Sequence, residues 1–241
     1  MKRFPALSIL LAFLLFAAPL QNIQSAEAAN PPRKILTGWL PYYSMKTYLP
    51  AVLSNADLIK EIMPFWYTLK YDGKTKKAVI TDVYKPANPS VPITEPLTAL
   101  RNAGMTIIPT ISDGTDKLVL AGLLKNPTSR TQVVSAIMNL VRTNNYDGID
   151  IDFEGFAFVD GNTTWTSTAP SWIAFIKELS IALRAEKKLL SVSTPYVLNP
   201  NDAQKGYFVY AWSAIATSID KLRIMTYDYS VAKPGPMGPL S

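Results

Sequence analysis

Tyr146-Asp147-Gly148-Ile149-Asp150-Ile151-Asp152-Phe153-Glu154 sets an acidic residue at every second position of an otherwise apolar run. In an extended chain successive side chains point to opposite faces. Asp150, Asp152 and Glu154 then form one row, while Ile149, Ile151 and Phe153 face the other way. Carboxylates in a row repel one another. Holding them in a low-dielectric interior costs several kcal/mol unless protons are shared or partners supplied, so the pattern asks for a chemical reason.

Outward from this strand, short β-rich runs alternate with helical stretches from Lys34 onward, the pattern of parallel strands joined by crossover helices. The strand candidates are Ile35 to Leu40, Glu61 to Leu69, Thr106 to Ser112, Gly148 to Phe153, Leu190 to Thr194 and Leu222 to Tyr227. Helical spacing of apolar residues marks Pro96 to Ala103, Arg130 to Asn144, Trp172 to Lys187 and Val209 to Thr217. Asp72-Gly73 predicts a tight turn leading to Ala78 to Val83, a small excursion after the second strand. Polar and aromatic residues gather just after each strand: Pro41-Tyr42-Tyr43-Ser44, Phe65-Trp66-Tyr67, Ser112-Asp113-Gly114, Pro195-Tyr196 and Tyr227-Asp228-Tyr229. A parallel β/α barrel brings such strand ends to one face, where its sites are built. An open doubly wound sheet is the weaker choice, because no G-x-G-x-x-G or G-K-[ST] follows the first strand.

Composition narrows the chemistry. Met1-Lys2-Arg3, the apolar run Ala6 to Leu20 and the small-x-small site Ala26-Glu27-Ala28 predict a secretory signal over residues 1–28. The run is shorter than the about 20 apolar residues a spanning helix needs. Removing 28 of the 241 residues leaves 213, enough for one exported domain with a large core. The chain has no cysteine and no histidine. Disulfides, thiol nucleophiles, Ser-His-Asp triads and H-E-x-x-H zinc sites are therefore excluded, and hydrolysis falls to carboxylates, tyrosine or lysine. The formal charge of +6 includes no basic cluster that would suggest nucleic acid, and no metal or organic cofactor is indicated.

The acidic row suits glycoside chemistry. A desolvated carboxyl beside an anionic neighbour holds its proton to higher pH than an exposed one and can protonate a leaving glycosidic oxygen. Ordinary glycosidases place a second carboxylate on the opposite side of the sugar. Asp152 shares a strand with Glu154 and does not easily reach that face. The nucleophile must come from elsewhere, and a substrate 2-acetamido carbonyl oxygen would supply it.

Asp147-Gly148-x-Asp150-x-Asp152-x-Glu154 matches the D-G-x-D-x-D-x-E signature of glycoside hydrolase family 18, the chitinase family, at every fixed position. The resemblance extends along the chain. Gly38-Trp39-Leu40-Pro41-Tyr42-Tyr43 is similar to the family's first strand, Pro64-Phe65-Trp66-Tyr67 to its second, and Met225-Thr226-Tyr227-Asp228 to the M-x-Y-D of its sixth. The G-W-x-P-Y and P-F-W-Y pair further resembles the bacterial branch of spore-cortex and cell-wall N-acetylglucosaminidases.

The resemblance implies a (β/α)8 TIM barrel and cleavage of β-1,4-linked N-acetylglucosamine polysaccharide, chitin or peptidoglycan, with retention. It implies Glu154 as proton donor and then base. Asp152 would orient the acetamido group, and Asp150 would hold Asp152 through a shared proton. Tyr227 and Asp228 would contact the acetamido group. Tyr42, Phe65 and Trp66 are expected to face sugar, since pyranose faces stack on rings. Trp165, Trp172 and Trp212 are expected to pack in loops or helices, and Trp39, within its strand, is as readily core.

Two departures stand out. The family's third strand commonly ends S-x-G-G, whereas this chain has Ser112-Asp113-Gly114-Thr115. Six strands also take the sequence almost to Ser241, so the catalytic domain over residues 29–241 is expected to be truncated after the sixth strand. The rival reading is a carbohydrate-binding barrel without turnover, or an inactive fragment. Glu154, the acid that such lectins usually lack, favours the enzyme.

Overall fold

A computed structural model describes residues 36–197, 206–227, 230 and 233–236. The expected signal segment and Asp228 lie outside them. The strands are β1 (Leu36–Pro41), β2 (Ile59–Asp72), β3 (Lys77–Asp82), β4 (Thr106–Ile107), β5 (Thr110–Asp113), β6 (Gly148–Asp152), β7 (Leu189–Pro195) and β8 (Lys221–Met225). All but β3 run parallel, in the order β1-β2-β5-β6-β7-β8, with β4 pairing β2 just ahead of β5. Six parallel lanes in chain order make the curled wall of a β/α barrel, with β1 and β8 at the edges of the described sheet.

The expected excursion is a hairpin: β2 runs on to Asp72 and β3 returns antiparallel to it. Its turn is held by Asp72, whose carboxylate accepts from Lys74 N at 2.9 Å and from Thr75 Oγ1 at 2.8 Å. The helices are α1 (Met45–Ser54), α2 (Tyr84–Ala87), α3 (Thr94–Asn102), α4 (Val119–Lys125), α5 (Pro127–Thr143), α6 (Trp165–Ala185) and α7 (Trp212–Ile215).

The main core lies between the sheet and the long helices. Ile149 and Ile151 of β6 and Phe153 just after it are completely buried, and Phe153 stacks on Phe175 of α6 at 5.8 Å. From α5, Val133, Ile137 and Val141 are buried, each side chain contributing about 1.5–3 kcal/mol of transfer free energy. Asn126 caps α5 by accepting from Ser129 N, and Pro127 opens it, where the missing N–H costs nothing.

Three elements differ from expectation. Helix α6 begins at Trp165, seven residues before the anticipated Trp172, because burial of Trp165, Thr168 and Trp172 outweighs the backbone bond lost at Pro170. Helix α1 likewise tolerates Pro50. The stretch expected to be helical over Val209 to Thr217 is broken into α7 and two flanking 3₁₀ turns, with Ala211 at φ 45° ahead of α7.

Candidate active site

Strand β6 positions the acidic row. At its entry Asp147 acts as a backbone clamp: its carboxylate accepts from Ile107 N at 2.8 Å and its carbonyl accepts from Leu189 N at 2.9 Å, tying β6 to both neighbours. Gly148 is required by the next close approach, since a Cβ there would lie 2.3 Å from the carbonyl oxygen of Leu189.

Asp150 has no exposed surface. Thr110 Oγ1 donates to its Oδ2 at 2.9 Å, and Ser193 Oγ lies 3.0 Å from Oδ2 and 3.1 Å from Oδ1. Burial pushes its carboxyl up, opposed by hydrogen bonds from Ser191, Thr110 and Ser193 and by the Arg223 charge. Asp152 is 5 % exposed, and its Oδ1 is buried without a hydrogen-bond partner among the described residues. Burial first, then the Glu154 charge, then that of Asp150, push this carboxyl up to about 8. A neutral Asp152 between two acids is the cheapest way to keep the row in a dry site.

Glu154, one residue pair beyond, stands where two cavities meet. One, of about 230 Å³, is lined by Trp39, Pro41, Tyr43, Phe65, Asp152, Glu154 and Tyr227. The other, of about 330 Å³, is lined by Glu154, Phe158, Pro195, Tyr196, Tyr207, Met225 and Tyr227. Both share Glu154 and Tyr227, so the acid borders two aromatic-walled hollows. Among the described residues, the carboxylates in these two linings are Asp152 and Glu154. Among the described residues no group of three acidic side chains is arranged to hold a metal ion.

The structure therefore brings Asp150, Asp152, Glu154, Tyr227 and Phe65 to one end of the sheet. Two of the expected sugar-facing aromatics are elsewhere. Trp66 is fully buried and packs on Tyr84 with ring centroids 4.7 Å apart, so it presents no face to a ligand. The pairing of β2 with β5 slips between Phe65 and Tyr67, which breaks simple alternation there. Phe65 lines the cavity, while Trp66 and Tyr67 join the core. Tyr42 is half-buried against that core, its carbonyl accepting from Asn88 Nδ2 at 2.7 Å, and the cavity is lined instead by Tyr43 beside it. Trp39, read as readily as core, lines the cavity and meets Tyr227 edge to face at 6.5 Å. Its place two residues before Pro41 on the same strand face was the available signal. Phe158 had none: it stands on a π-helical turn, Phe156–Asp160, directly after the acid. Trp165 and Trp172 pack as expected, their Nε1 groups donating to Phe156 O and Tyr210 O, and Trp212 Nε1 donates to Thr194 Oγ1.

The departing loop also touches the site. Asp113 takes a backbone hydrogen bond from Thr115 N at 2.9 Å, and its Oδ2 lies over Gly155, where a Cβ would come within 2.2 Å. A side chain at Gly155 would push this loop off the residue next to Glu154. Behind the strand end, Tyr210 donates its hydroxyl to Phe153 O at 2.8 Å and braces the backbone from which Glu154 projects.

Residues 36–241 match the family model described as glycosyl hydrolases family 18. YdhD of Bacillus subtilis (strain 168), whose name assigns it as a sporulation-specific glycosylase, is 25 % identical over 243 residues. The match takes in 92 % of this chain and 53 % of YdhD, so the chain spans about half of that relative. Among solved structures, the spore cortex-lytic enzyme SleL of Bacillus megaterium superposes with a TM-score of 0.66 at 16 % identity, over 87 % of this chain and 46 % of SleL. A Cycas revoluta chitinase in complex with (GlcNAc)3 superposes with a TM-score of 0.59 at 19 % identity, over 81 % of this chain and 56 % of its own.

Proposed function

Because this chain belongs to glycosyl hydrolases family 18, we propose that it hydrolyses β-1,4-linked N-acetylglucosamine polysaccharide, chitin or the glycan of peptidoglycan, with the substrate acetamido group as nucleophile. The observation that carries this reading is the placing of both carboxylates on one strand end, Glu154 lining both cavities and Asp152 lining one of them two residues before it. A retaining enzyme with its own nucleophile needs a second carboxylate about 5–5.5 Å from the acid, across the sugar. The carbonyl oxygen of a 2-acetamido group can attack C1 from within the substrate.

In the first step Glu154 gives its proton to the glycosidic oxygen, the C1–O bond breaks, and the acetamido oxygen closes on C1 to form an oxazolinium ion. Asp152 lines one of the cavities that Glu154 lines, where its carboxyl oxygen can accept from the acetamido N–H and orient the group for attack on C1. In the second step Glu154, now a carboxylate, takes a proton from water as it attacks C1, and the β configuration is restored. Tyr227, shared by both hollows, is placed to contact the sugar at the cleavage point, and Trp39, Tyr43 and Phe65 offer ring faces or edges to the sugar in one hollow. The (GlcNAc)3 carried by the Cycas chitinase and the spore role in the names of YdhD and SleL support the two candidate polymers.

The proposal includes export through residues 1–28 and action outside the cell or at the wall. N-terminal sequencing of the secreted protein, with a start at Ala29 or Asn30, checks that part. The central test compares N-acetylglucosamine oligomers with fully deacetylated ones, using the full-length protein and its Glu154→Gln variant. Hydrolysis that needs both Glu154 and the acetamido group is expected. Binding of the acetylated oligomers without cleavage by the unaltered protein would replace the enzyme with a sugar-binding barrel.

A further inference from the structure

Arg223 enters the barrel interior from β8 and is only 12 % exposed along its side chain. Its Nη1 donates to Thr37 Oγ1 of β1 at 2.7 Å, its Nη2 pairs with Glu61 of β2, and its Nε donates to Ser191 Oγ of β7 at 2.9 Å. The same Nε lies 3.9 Å from Asp150 Oδ1 on β6. We propose that Arg223 is a positioning residue for the acidic row: its charge, 3.9 Å from Asp150 and bonded to the adjacent Ser191, holds Asp150 as the anion and so leaves the proton of the acidic row on Asp152, beside Glu154.

The donor arrangement carries this. Ser191 accepts from Arg223, which leaves its own O–H free to point at Asp150, its register partner across β6 and β7. Thr110 and Ser193 add two more hydroxyls to Asp150. The Asp152 Oδ1 atom, one residue pair further along the strand, has no such donor among the described residues. Two adjacent buried carboxyls that share one proton place it on the one with fewer donors and no cation. Burial pushes both carboxyls up, and of the two, among the described residues, only Asp150 has hydroxyl donors and a cation opposing that push.

The other charges near Asp150 have been assigned partners. From β8 Lys221 pairs with Glu61, and from β2 Glu61 is held by both Lys221 and Arg223. From β6 come Asp152 and Glu154, both of which favour a proton on their neighbours. Strands β1, β5 and β7 contribute the hydroxyls of Thr37, Thr110, Ser191 and Ser193. The consequence for turnover rests on the family-18 reading: a proton on Asp152 is in place to hydrogen-bond Glu154 while that residue acts first as acid and then as base. The location of the proton does not depend on that reading.

The test is the pH titration of the Asp150 and Asp152 side-chain carboxyl carbons by 13C NMR in the full-length protein, its Arg223→Gln variant and its Arg223→Lys variant. In the unaltered protein Asp150 is expected to ionise first, with Asp152 protonated to higher pH. In Arg223→Gln the Asp150 midpoint is expected to rise by about one pH unit or more and that of Asp152 to fall; Arg223→Lys is expected to restore most of the original order. Unchanged midpoints in Arg223→Gln, whatever happens to its melting temperature, would leave Arg223 a strut and overturn the proposal. So would an unaltered protein in which Asp150 holds the proton at neutral pH. Should Arg223→Gln fail to fold, Thr37→Val removes one anchor of the guanidinium and is expected to shift the midpoints less, in the same directions, with no shift counting against the proposal. On acetylated oligomers Arg223→Gln is expected to lose kcat more than KM. A protein that cleaves no oligomer would sink the hydrolase reading while leaving the titration to decide this one.

Discussion

Asp152 holds a proton that an exposed aspartate would have lost. Its carboxyl is pushed up to about 8 by burial and by two neighbouring acids, against about 3.9 in an unfolded chain. Between those values the unfolded chain has released a proton that the folded chain keeps. The stability contributed by this group is therefore fully present below pH about 4 and is lost as pH rises towards 8. Asp152→Asn, which stays neutral in both states, is expected to be as stable as the unaltered protein near pH 4 and more stable at pH 8, by on the order of 5 kcal/mol. Urea unfolding at the two pH values measures this, and equal differences at both would show that the carboxyl is ionised in the fold. The same substitution is expected to lower turnover of acetylated oligomers, so the residue trades stability for a site.

Strand β6 is what turns these residues into a site, and it depends on close backbone contact with its neighbours. Gly148 lies opposite Leu189, whose carbonyl would meet an added Cβ at 2.3 Å. Backbone cannot rotate away as a side chain can. Gly148→Ala is expected to part β6 from β7 and to cost about 3 kcal/mol, at the upper end of overpacking. Chemical denaturation gives the number, and a cost under about 0.5 kcal/mol would mean that the strands separate freely. The period-2 alternation of β6 was legible because it is local: the apolar face meets α6 through Phe153 and Phe175, and the acidic face meets the cavity. The ends of β2 were not, because the slip at Trp66 comes from pairing with β5, a strand more than forty residues away.

Across the whole molecule, opposite sides of the curled sheet are tied by buried charge. Glu61 on β2 is 3 % exposed and faces both Lys221 and Arg223 on β8. Removing the carboxylate takes the paired anion from the buried Arg223 guanidinium, while Lys221, 38 % exposed, turns to water, and breaking such a buried pair costs about 3–5 kcal/mol. Glu61→Ala is expected to lose stability in that range, whereas Glu186→Ala, which breaks the exposed pair with Arg142 at the helix ends, is expected to leave the unfolding midpoint unchanged. Midpoints that move equally in the two variants would show that the interior is wet enough to screen the cluster.

By itself the sequence determined the parallel β/α alternation, the acidic row and the side of the strand it occupies, because these follow from periodicities of two and of about 3.6 residues read over a few turns of chain. The tertiary structure alone decided which aromatics line the two cavities. Trp66 was claimed by Tyr84, Tyr42 by the core, and Tyr43, Trp39 and Phe158 were left to line the hollows. It alone also set Arg223 against Glu61, 162 residues apart, and beside Asp150. Burial and ion pairing depend on which surfaces the closing sheet brings together, and that information is carried by strand register and barrel curvature and by no local pattern.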